Sequence, residues 1–358
     1  MTTPPEDEAS ALARIEAARG RRIKLREQFI TSVHGAGGKA SAALVEAVFI
    51  DAFGSPSPEL TDGAILEVPA GRLAFTTDSY VVNPLRFKGG SIGDLAVNGT
   101  ANDLAVSGAR PRWLSTGFVL EEGLAIDELR AIVADMKAAA DKAGMTIVTG
   151  DTKVVPRGGA DKVFINTSGI GVIPEGRQLG AALVAIGDAL VLSGPIGGHG
   201  MAVMMARGEL AIDAEISSDT ACISPLIESL YEAGVSPHWM RDATRGGLGT
   251  VVNELARACG LGIVLDDEAV PVDTTVAACC DMLGIDPLYV ANEGCFVAVV
   301  PAEQADIAAA AMRDAGAPRA TVIGRVAADP AGVVAVRNGF GGVRILDMLV
   351  GDPLPRIC

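Results

Sequence analysis

The stretch WLSTGFVLEEGLAIDELRAIVADMKAAADKAGMTIVTGDTK, Trp113 to Lys153, decides the fold. Its apolar opening, Trp113–Leu120, reads as a strand. Asp127–Ala143 is the clearest helix of the chain, stopped by Gly144. Met145–Val148 returns as a strand. Strand, helix and strand in this order give a mixed α/β class.

The same alternation continues on both sides. Upstream, Leu44, Val45, Val48 and Phe49 fall at helical spacing, which predicts a helix over Ser41–Phe53. Ile65–Val68 and Leu73–Thr77 are strand candidates, and Gly93–Val106 is a helix interrupted by Gly99. Val163–Val172 closes a first half. After Pro174 the pattern restarts. Strands are expected at Ala189–Leu192, Ile263–Leu265, Phe296–Val300 and Ala320–Ile323. Helices are expected at Met201–Ala206, Thr220–Ala233, Leu248–Ala258 and Asp306–Ala315. The 358 residues suit about two domains at roughly 150 residues each. The expected division is an N-terminal extension at 1–33, a first α/β domain at 34–174, a second at 175–333, and a C-terminal segment at 334–358. That last segment holds two short strands and a proline-bearing tail.

Lys plus Arg number 29 against 44 Asp plus Glu, a net charge of −15. Such a chain is a poor binder of nucleic acid or anionic membrane, and neither is expected as a partner. No run approaches the roughly 18 apolar residues of a membrane span. The N-terminus MTTPPEDEAS lacks the basic region of a signal peptide, so a cytoplasmic protein is expected. The six cysteines form no C-x-x-C pair and, with three histidines, no zinc spacing.

Two phosphate motifs fail. Around Gly38-Lys39, Ala40 replaces the Walker hydroxyl and Val33 replaces its first glycine. The turn Gly194–Gly200 has the wrong spacing for a dinucleotide fingerprint. The glycine loop HGAGGK, His34 to Lys39, instead offers backbone amides of Gly37 and Gly38 and the Lys39 ammonium to a phosphate; a plain linker into the helix fits the spacing equally. Acidic residues beside strand ends and glycines stand out: Asp78 after AFTT, Asp103 in AND, Asp151 in GDTK and Asp242 in RDATRGG. Such carboxylates suit a hard cation that keeps waters and binds phosphates, and they also suit plain turn formation. Lys153 is able to stabilise a developing anion, and Glu293 in ANEG to act as a base if its surroundings tune it. Surface solvation explains either one alone.

Cys358 ends the chain on a proline-bearing tail and is expected to be exposed. From about Leu346 the tail reaches roughly 40 Å at ~3.3 Å per residue. The expected radius of gyration is about 20 Å, so one thiol is able to visit its own body and a partner's site.

The blocks TTDSYVVNP (76–84), FKGGSIGDLAVNGTANDLAVSGARP (87–111), GDTKVVPRGGADKVFINTSGIG (150–171), RDATRGGLGT (241–250), ANEG (291–294) and PRIC (355–358) carry a resemblance. From about His34 onward the chain resembles the HypE family of hydrogenase maturation factors, the carbamoyl dehydratases. The terminal PRIC separates that family from the wider superfamily. The resemblance implies a two-domain fold of the aminoimidazole-ribonucleotide-synthetase (PurM-like) type. It implies N-terminal domains paired in a homodimer, ATP near the interface, and a mobile C-terminal tail. It further implies that a HypF partner loads a carbamoyl group onto Cys358. ATP-dependent dehydration to a thiocyanate follows, and the cyano group passes to iron on a HypC–HypD complex. In that scheme Asp78, Asp103 and Asp242 are Mg²⁺ ligands. Asp78, Asp103, Asp151, Asn98, Gly37, Gly38 and Lys39 line the ATP site. Glu293 is the base, with Lys153 orienting substrate or stabilising charge beside the carrier Cys358.

Other readings use the same fold. Selenophosphate synthetases need a reactive Cys or selenocysteine near the N-terminus, and no Cys precedes Cys222 here. Small-molecule kinases of the superfamily do not need PRIC. A non-enzymatic assembly scaffold would keep the acidic surface and tail, yet it has no use for the intact Asp set, Lys153 and Glu293.

Overall fold

The structure is a computed structural model that describes residues 25–36, 38–54, 64–208, 215–349, 351, 354 and 356–358. Most of the N-terminal extension, and Gly37, lie outside the described residues.

The first unit contains α1 (Ser32–Gly35), α2 (Gly38–Leu44, continued by a π-helical turn Val45–Ile50 and by Asp51–Phe53), β1 (Arg72–Tyr80), the short ribbon β2 (Arg86–Phe87) and β3 (Gly90–Ser91), α3 (Ile92–Val106), β4 (Arg110–Glu121), α4 (Ile126–Ala143), β5 (Thr146–Val155) and β6 (Val163–Ile173). Four of these strands form a sheet in the order β1-β6-β4-β5, with only the β4–β5 pair parallel. Burial alternates along β4 and β6, so one face meets the core and the other does not. Helices α3 and α4 cover the buried face. Ser91 starts α3, its side chain accepting from the Gly93 and Asp94 amides, and Gly144 ends α4 in the left-handed region. On the opposite face Phe75 remains 71% exposed and Leu73 45%.

The second unit contains β7 (Ala189–Leu192), α5 (Gly198–Arg207), α6 (Ser224–Glu232), β8 (Trp239–Asp242), α7 (Gly247–Cys259), β9 (Gly262–Asp266), α8 (Thr274–Leu283), β10 (Phe296–Val300), α9 (Ala305–Asp314), β11 (Thr321–Ala327), β12 (Val334–Arg337) and β13 (Val343–Leu346). Its seven strands run β13-β12-β9-β11-β7-β10-β8. ALVL and FVAVV, the inner strands β7 and β10, are buried at every position. That is why their sequence is unbroken rather than alternating. Strands β12 and β13 complete this sheet, although the sequence reading sets them in a separate segment from 334.

Several elements differ from expectation. Ile65–Val68 forms no strand with any of the described residues, and Ile65 is almost fully exposed. The strand expected at Met145–Val148 runs on to Val155, so Asp151 and Lys153 lie within it rather than after it. The helix expected from Thr220 begins at Ser224, where Pro225 sits in the first turn and fixes the start. Helix α8 opens on Thr-Thr-Val, poor helix formers that hide it from sequence reading.

The C-terminal tail, expected to be exposed, is seated on the molecule. Leu354 and Ile357 are buried in the core that joins the first unit to α5, and Cys358 is half-buried beside them. Two apolar side chains in the last five residues gain cover by docking, and that outweighs the freedom of a loose end.

The α3–α4 crossing is close because Gly93 lacks a side chain; a Cβ there would press into the Ile132 carbonyl. Gly93→Ala is expected to destabilise the protein by about 1–3 kcal/mol, read as a lower urea midpoint.

Candidate active site

The site is built where α3 meets the second unit. Asn98 and Asn102, one turn apart, point the same way. Asn102 Oδ1 accepts from the Ile223 amide at 2.9 Å, while its Nδ2 donates to the carbonyls of Ala221 (2.9 Å) and Glu293 (3.2 Å). Asn98 Nδ2 reaches Thr220 Oγ1 at 3.4 Å. The segment 218–223 is thus held between α3 and the loop 291–294. Asn292 fixes that loop by donating to Ala243 O (2.8 Å) and accepting from the Gly197 amide (2.6 Å).

Acidic side chains converge on this junction. Thr76 donates to Asp103 at 2.7 Å, and Thr100 to Asp78 at 3.3 Å, so the two carboxylates face one another between β1 and α3. Burial first, then the neighbouring Asp103 charge, raises Asp78 to about 6. Asp242, at the end of β8, is buried. Its carboxyl is raised to about 7 by desolvation first and by Asp103 next. Glu293 is buried as well and is pushed well above the ordinary carboxylate range, by burial and then by Asp242 and Asp219.

Asp219 is a member that sequence reading missed. It accepts from the amides of Glu293 (3.1 Å) and Gly294 (3.0 Å), and burial raises it to about 6. Gly294 is required here, since a Cβ would collide with the Asp219 carbonyl. No residue-level signal marks Asp219 within SSDTA. Its role arises from a long-range contact with ANEG, where the glycine after Glu293 is the one trace of it. Asn102 was visible beside Asp103, but its inter-unit contacts were not.

The sequence-derived candidates divide into groups. Asp78, Asp103, Asp242, Glu293 and Asn98 come together. Lys153 and Asp151 do not join them. They pair with each other, Nζ to Oδ2 at 2.7 Å, and both are about 70% exposed. The Lys153 contact holds the Asp151 carboxyl below its usual value. Register explains the separation. Asp151 and Lys153 lie opposite Gly117 and Val119 on the open face of the first sheet, whereas Asp78 lies opposite buried Thr167 on the covered face. Gly38 opens α2 at φ +76° and Lys39 is exposed. His34 is buried, and its Nδ1 accepts from the Thr31 amide at 3.0 Å. Cys358 comes to the end of β1, where its main-chain carboxylate accepts from the Val81 amide at 3.2 Å. Val81 is three residues beyond Asp78, roughly 10 Å of strand.

Among the described residues no three His, Cys, Asp or Glu side chains stand close enough to form a metal cage of their own. Asp78, Asp103 and Asp242 therefore do not form a closed site. Among the described residues no helix is long and apolar enough to cross a membrane.

Two family matches cover most of the chain: AIR synthase related protein, N-terminal domain, over residues 60–173, and AIR synthase related protein, C-terminal domain, over residues 185–337. The carbamoyl dehydratase HypE of Rhodobacter capsulatus is 51% identical over 344 residues, spanning 94% of this chain and 100% of that one. A crystal structure of the hydrogenase maturation protein HypE in complex with ATP superimposes with a TM-score of 0.85 at 44% identity, covering 91% of this chain and 99% of that one. The crystal structure of a HypE–HypF complex matches at TM-score 0.75 and 43% identity, with 86% and 100% covered. The two-unit fold, the buried acidic junction and identity along nearly the whole length agree: this chain belongs to the HypE carbamoyl dehydratase family of the AIR synthase related proteins.

Proposed function

We propose that this protein is an ATP-dependent carbamoyl dehydratase that works on a thiocarboxamide carried by Cys358. The observation that carries this reading is the seat of the tail. The last residue of the chain lies at the end of β1, the strand that bears Asp78. In the proposed step the substrate is Cys358–S–C(=O)–NH₂. The amide oxygen takes the γ-phosphoryl group of ATP, leaving ADP, and becomes a competent leaving group. The C–O bond then breaks with release of phosphate. The nitrogen gives up its two protons, and Cys358–S–C≡N remains.

Glu293 is the proposed proton acceptor. Its buried, like-charged surroundings raise its proton affinity well above that of an ordinary carboxylate, which is the property a proton acceptor uses. Asp78, Asp103 and Asp242 are the proposed Mg²⁺ ligands, and the bound ion would supply positive charge over the phosphates. The fit rests on the donor set: carboxylates that raise one another's proton affinity are those a divalent cation relieves. Asn98, Gly37, Gly38, Lys39 and Asp151 are assigned to the ATP side. Lys153 and Asp151 stand on the sheet face that leaves Phe75 and Leu73 exposed. We therefore assign that face to the homodimer contact, which would bring Lys153 into the enclosed site. A HypF-type carbamoyltransferase is the proposed donor, a HypC–HypD complex the acceptor of the cyano group, and the cytoplasm the location.

The test is intact-protein mass spectrometry after incubation with the carbamoyltransferase, carbamoyl phosphate and ATP–Mg²⁺. The parent chain is expected to gain a carbamoyl group and then lose one water, and Cys358→Ala to do neither. An unmodified parent beside an active transferase defeats the reading. Glu293→Gln is expected to accept the carbamoyl group and to dehydrate it more slowly by about 10²- to 10⁴-fold, in single-turnover assays.

Asp78 and Asp242 also predict a pH dependence of stability. Their folded-state values, about 6 and about 7, lie above the ordinary value of 3.8. Between those limits the native state holds more protons than the unfolded chain, so stability falls as pH rises. The melting temperature is expected to drop from about pH 5 to about pH 8 in chelator. Millimolar Mg²⁺ with ATP should flatten that slope, and a slope of opposite sign in scanning calorimetry would refute it.

A further inference from the structure

We propose that His199 and Arg207 of α5 are positioning residues for the dehydration step. They hold two successive tail carbonyls, with the Val81 amide holding the Cys358 carboxylate, and so fix Cys358 in register at the end of β1. The inference rests on the function proposed above and adds the groups that present the carrier thiol.

Three consecutive main-chain oxygens each have their own donor, two of them peptide carbonyls and the third on the Cys358 carboxylate. Arg207 Nη2 donates to Arg356 O at 2.7 Å, His199 Nε2 to Ile357 O at 2.6 Å, and the Val81 amide to Cys358 O at 3.2 Å. Arg207 Nε also donates to Asn83 O at 2.9 Å, so one guanidinium ties the tail to the segment following β1. The Arg356 side chain runs the other way, to Val81 O at 3.3 Å and to the Asp161 carboxylate. Arg356 itself sits at φ +56°, a left-handed conformation that costs a non-glycine residue energy and persists only where its surroundings hold it.

The chemistry of His199 is fixed by its partners. A carbonyl only accepts, so Nε2 carries the proton, and Nδ1 accepts from the Ser218 hydroxyl at 2.8 Å. The ring is buried and stays neutral, its pKa lowered to about 4 by desolvation. Ser218 adjoins Asp219, the residue that holds the Glu293 and Gly294 amides. The tail clamp and the proposed base therefore share one supporting segment.

Carbonyl groups are alike at every residue, so the clamp by itself does not choose a register. Leu354 and Ile357 do that, each nearly fully buried. Gly200 makes room for the first: a Cβ there would lie 3.2 Å from Leu354 Cδ1. A slip by one residue would expose both anchors and move the thiol by roughly 3.3 Å, enough to spoil a near-attack geometry.

The experiment uses the full-length protein with Arg207→Ala and His199→Phe, which remove the donors. Arg207→Lys and His199→Gln, which keep one, serve as conservative partners. Alkylation of Cys358 by iodoacetamide, followed by peptide mass mapping without ATP or transferase, reads the seat directly. Loading by the transferase and single-turnover dehydration of preloaded protein are measured separately. The donor-removing variants are expected to be alkylated about five- to tenfold faster, the effect of one lost hydrogen bond. They should dehydrate at least about tenfold more slowly while loading is undiminished. Lys and Gln should restore both toward the parent. Unchanged alkylation with normal dehydration overturns the clamp and leaves the dehydratase reading standing. Loading and dehydration falling together without conservative rescue overturns it as well. A parent chain that accepts no carbamoyl group, with alkylation accelerated as expected, supports the clamp as the tail's seat while defeating the dehydratase reading.

Discussion

The side chain of Asn102 bridges the two units through main-chain groups. An amide has two donor hydrogens and an accepting oxygen, and buried Asn102 directs both ends at the second unit: at Ala221, Glu293 and Ile223. Left unpaired, each of these buried groups would cost about 1–3 kcal/mol, so the contact is strongly specified. It fixes where α3 stands relative to the segment 218–223 and the loop 291–294. Asp103 is the next residue of the same helix. Asp78 faces that helix from β1, and Asp219 and Glu293 sit on the two tied segments. The placement of Asp219 and Glu293 relative to Asp103 follows from one buried amide.

Bringing those acids together is costly, and the cost shapes their chemistry. Burial lifts the carboxyls of Asp78, Asp219, Asp242 and Glu293 above the ordinary carboxylate range, and neighbouring negative charge adds to this at Asp78, Asp242 and Glu293. Two remedies exist for such a cluster, protonation or a cation. The second converts the same residues from weak acids into ligands for phosphate-bound metal. Glu293 differs from the rest in lying at the deep end, next to the Asp219 that holds its backbone. Its surroundings favour taking a proton, which is the property a base requires.

The sequence carried the architecture well where local and global demands agree. The ALVL and FVAVV runs read as buried strands because both faces are covered. The helix ending at Gly144 declared its own stop. Helix α8 was hidden because Thr274, Thr275 and Val276 disfavour helix locally and only tertiary packing overrides them. Asp78, Asp103, Asp242 and Glu293 were legible as acids beside glycines and strand ends. Their convergence was not legible, since it depends on contacts between α3 and residues more than a hundred positions away. Lys153 shows the same limit within one strand. Only the pairing of Val119 with Lys153 reveals which face it occupies, and a period of two makes the opposite face one residue away. The tail was read as exposed from its prolines and its terminal position. Leu354 and Ile357 carried the contrary signal, but their spacing gains meaning only once Gly200 and His199 are in place to receive them.

The seat of the tail also has an energetic constraint. A carrier of the kind proposed for Cys358, loaded by one protein and acting on its own body, would have to be held firmly enough to be positioned and weakly enough to leave. The contacts suit that requirement. One hydrogen bond joins neutral groups, one comes from an arginine, one ends on the Cys358 main-chain carboxylate, and the Arg356–Asp161 pair is partly solvated. Each contributes about 1 kcal/mol, or somewhat more for the charged donor. Two buried apolar anchors add a few kcal/mol, while the left-handed Arg356 and the ordering of the chain subtract. The balance is a seat whose occupancy a partner's competing grip is able to reverse. A disulfide or a fully buried ion pair at the same place would have fixed the thiol more rigidly and removed it from the partner's reach. The modest chemistry of the clamp is therefore part of what makes a terminal cysteine usable as a carrier.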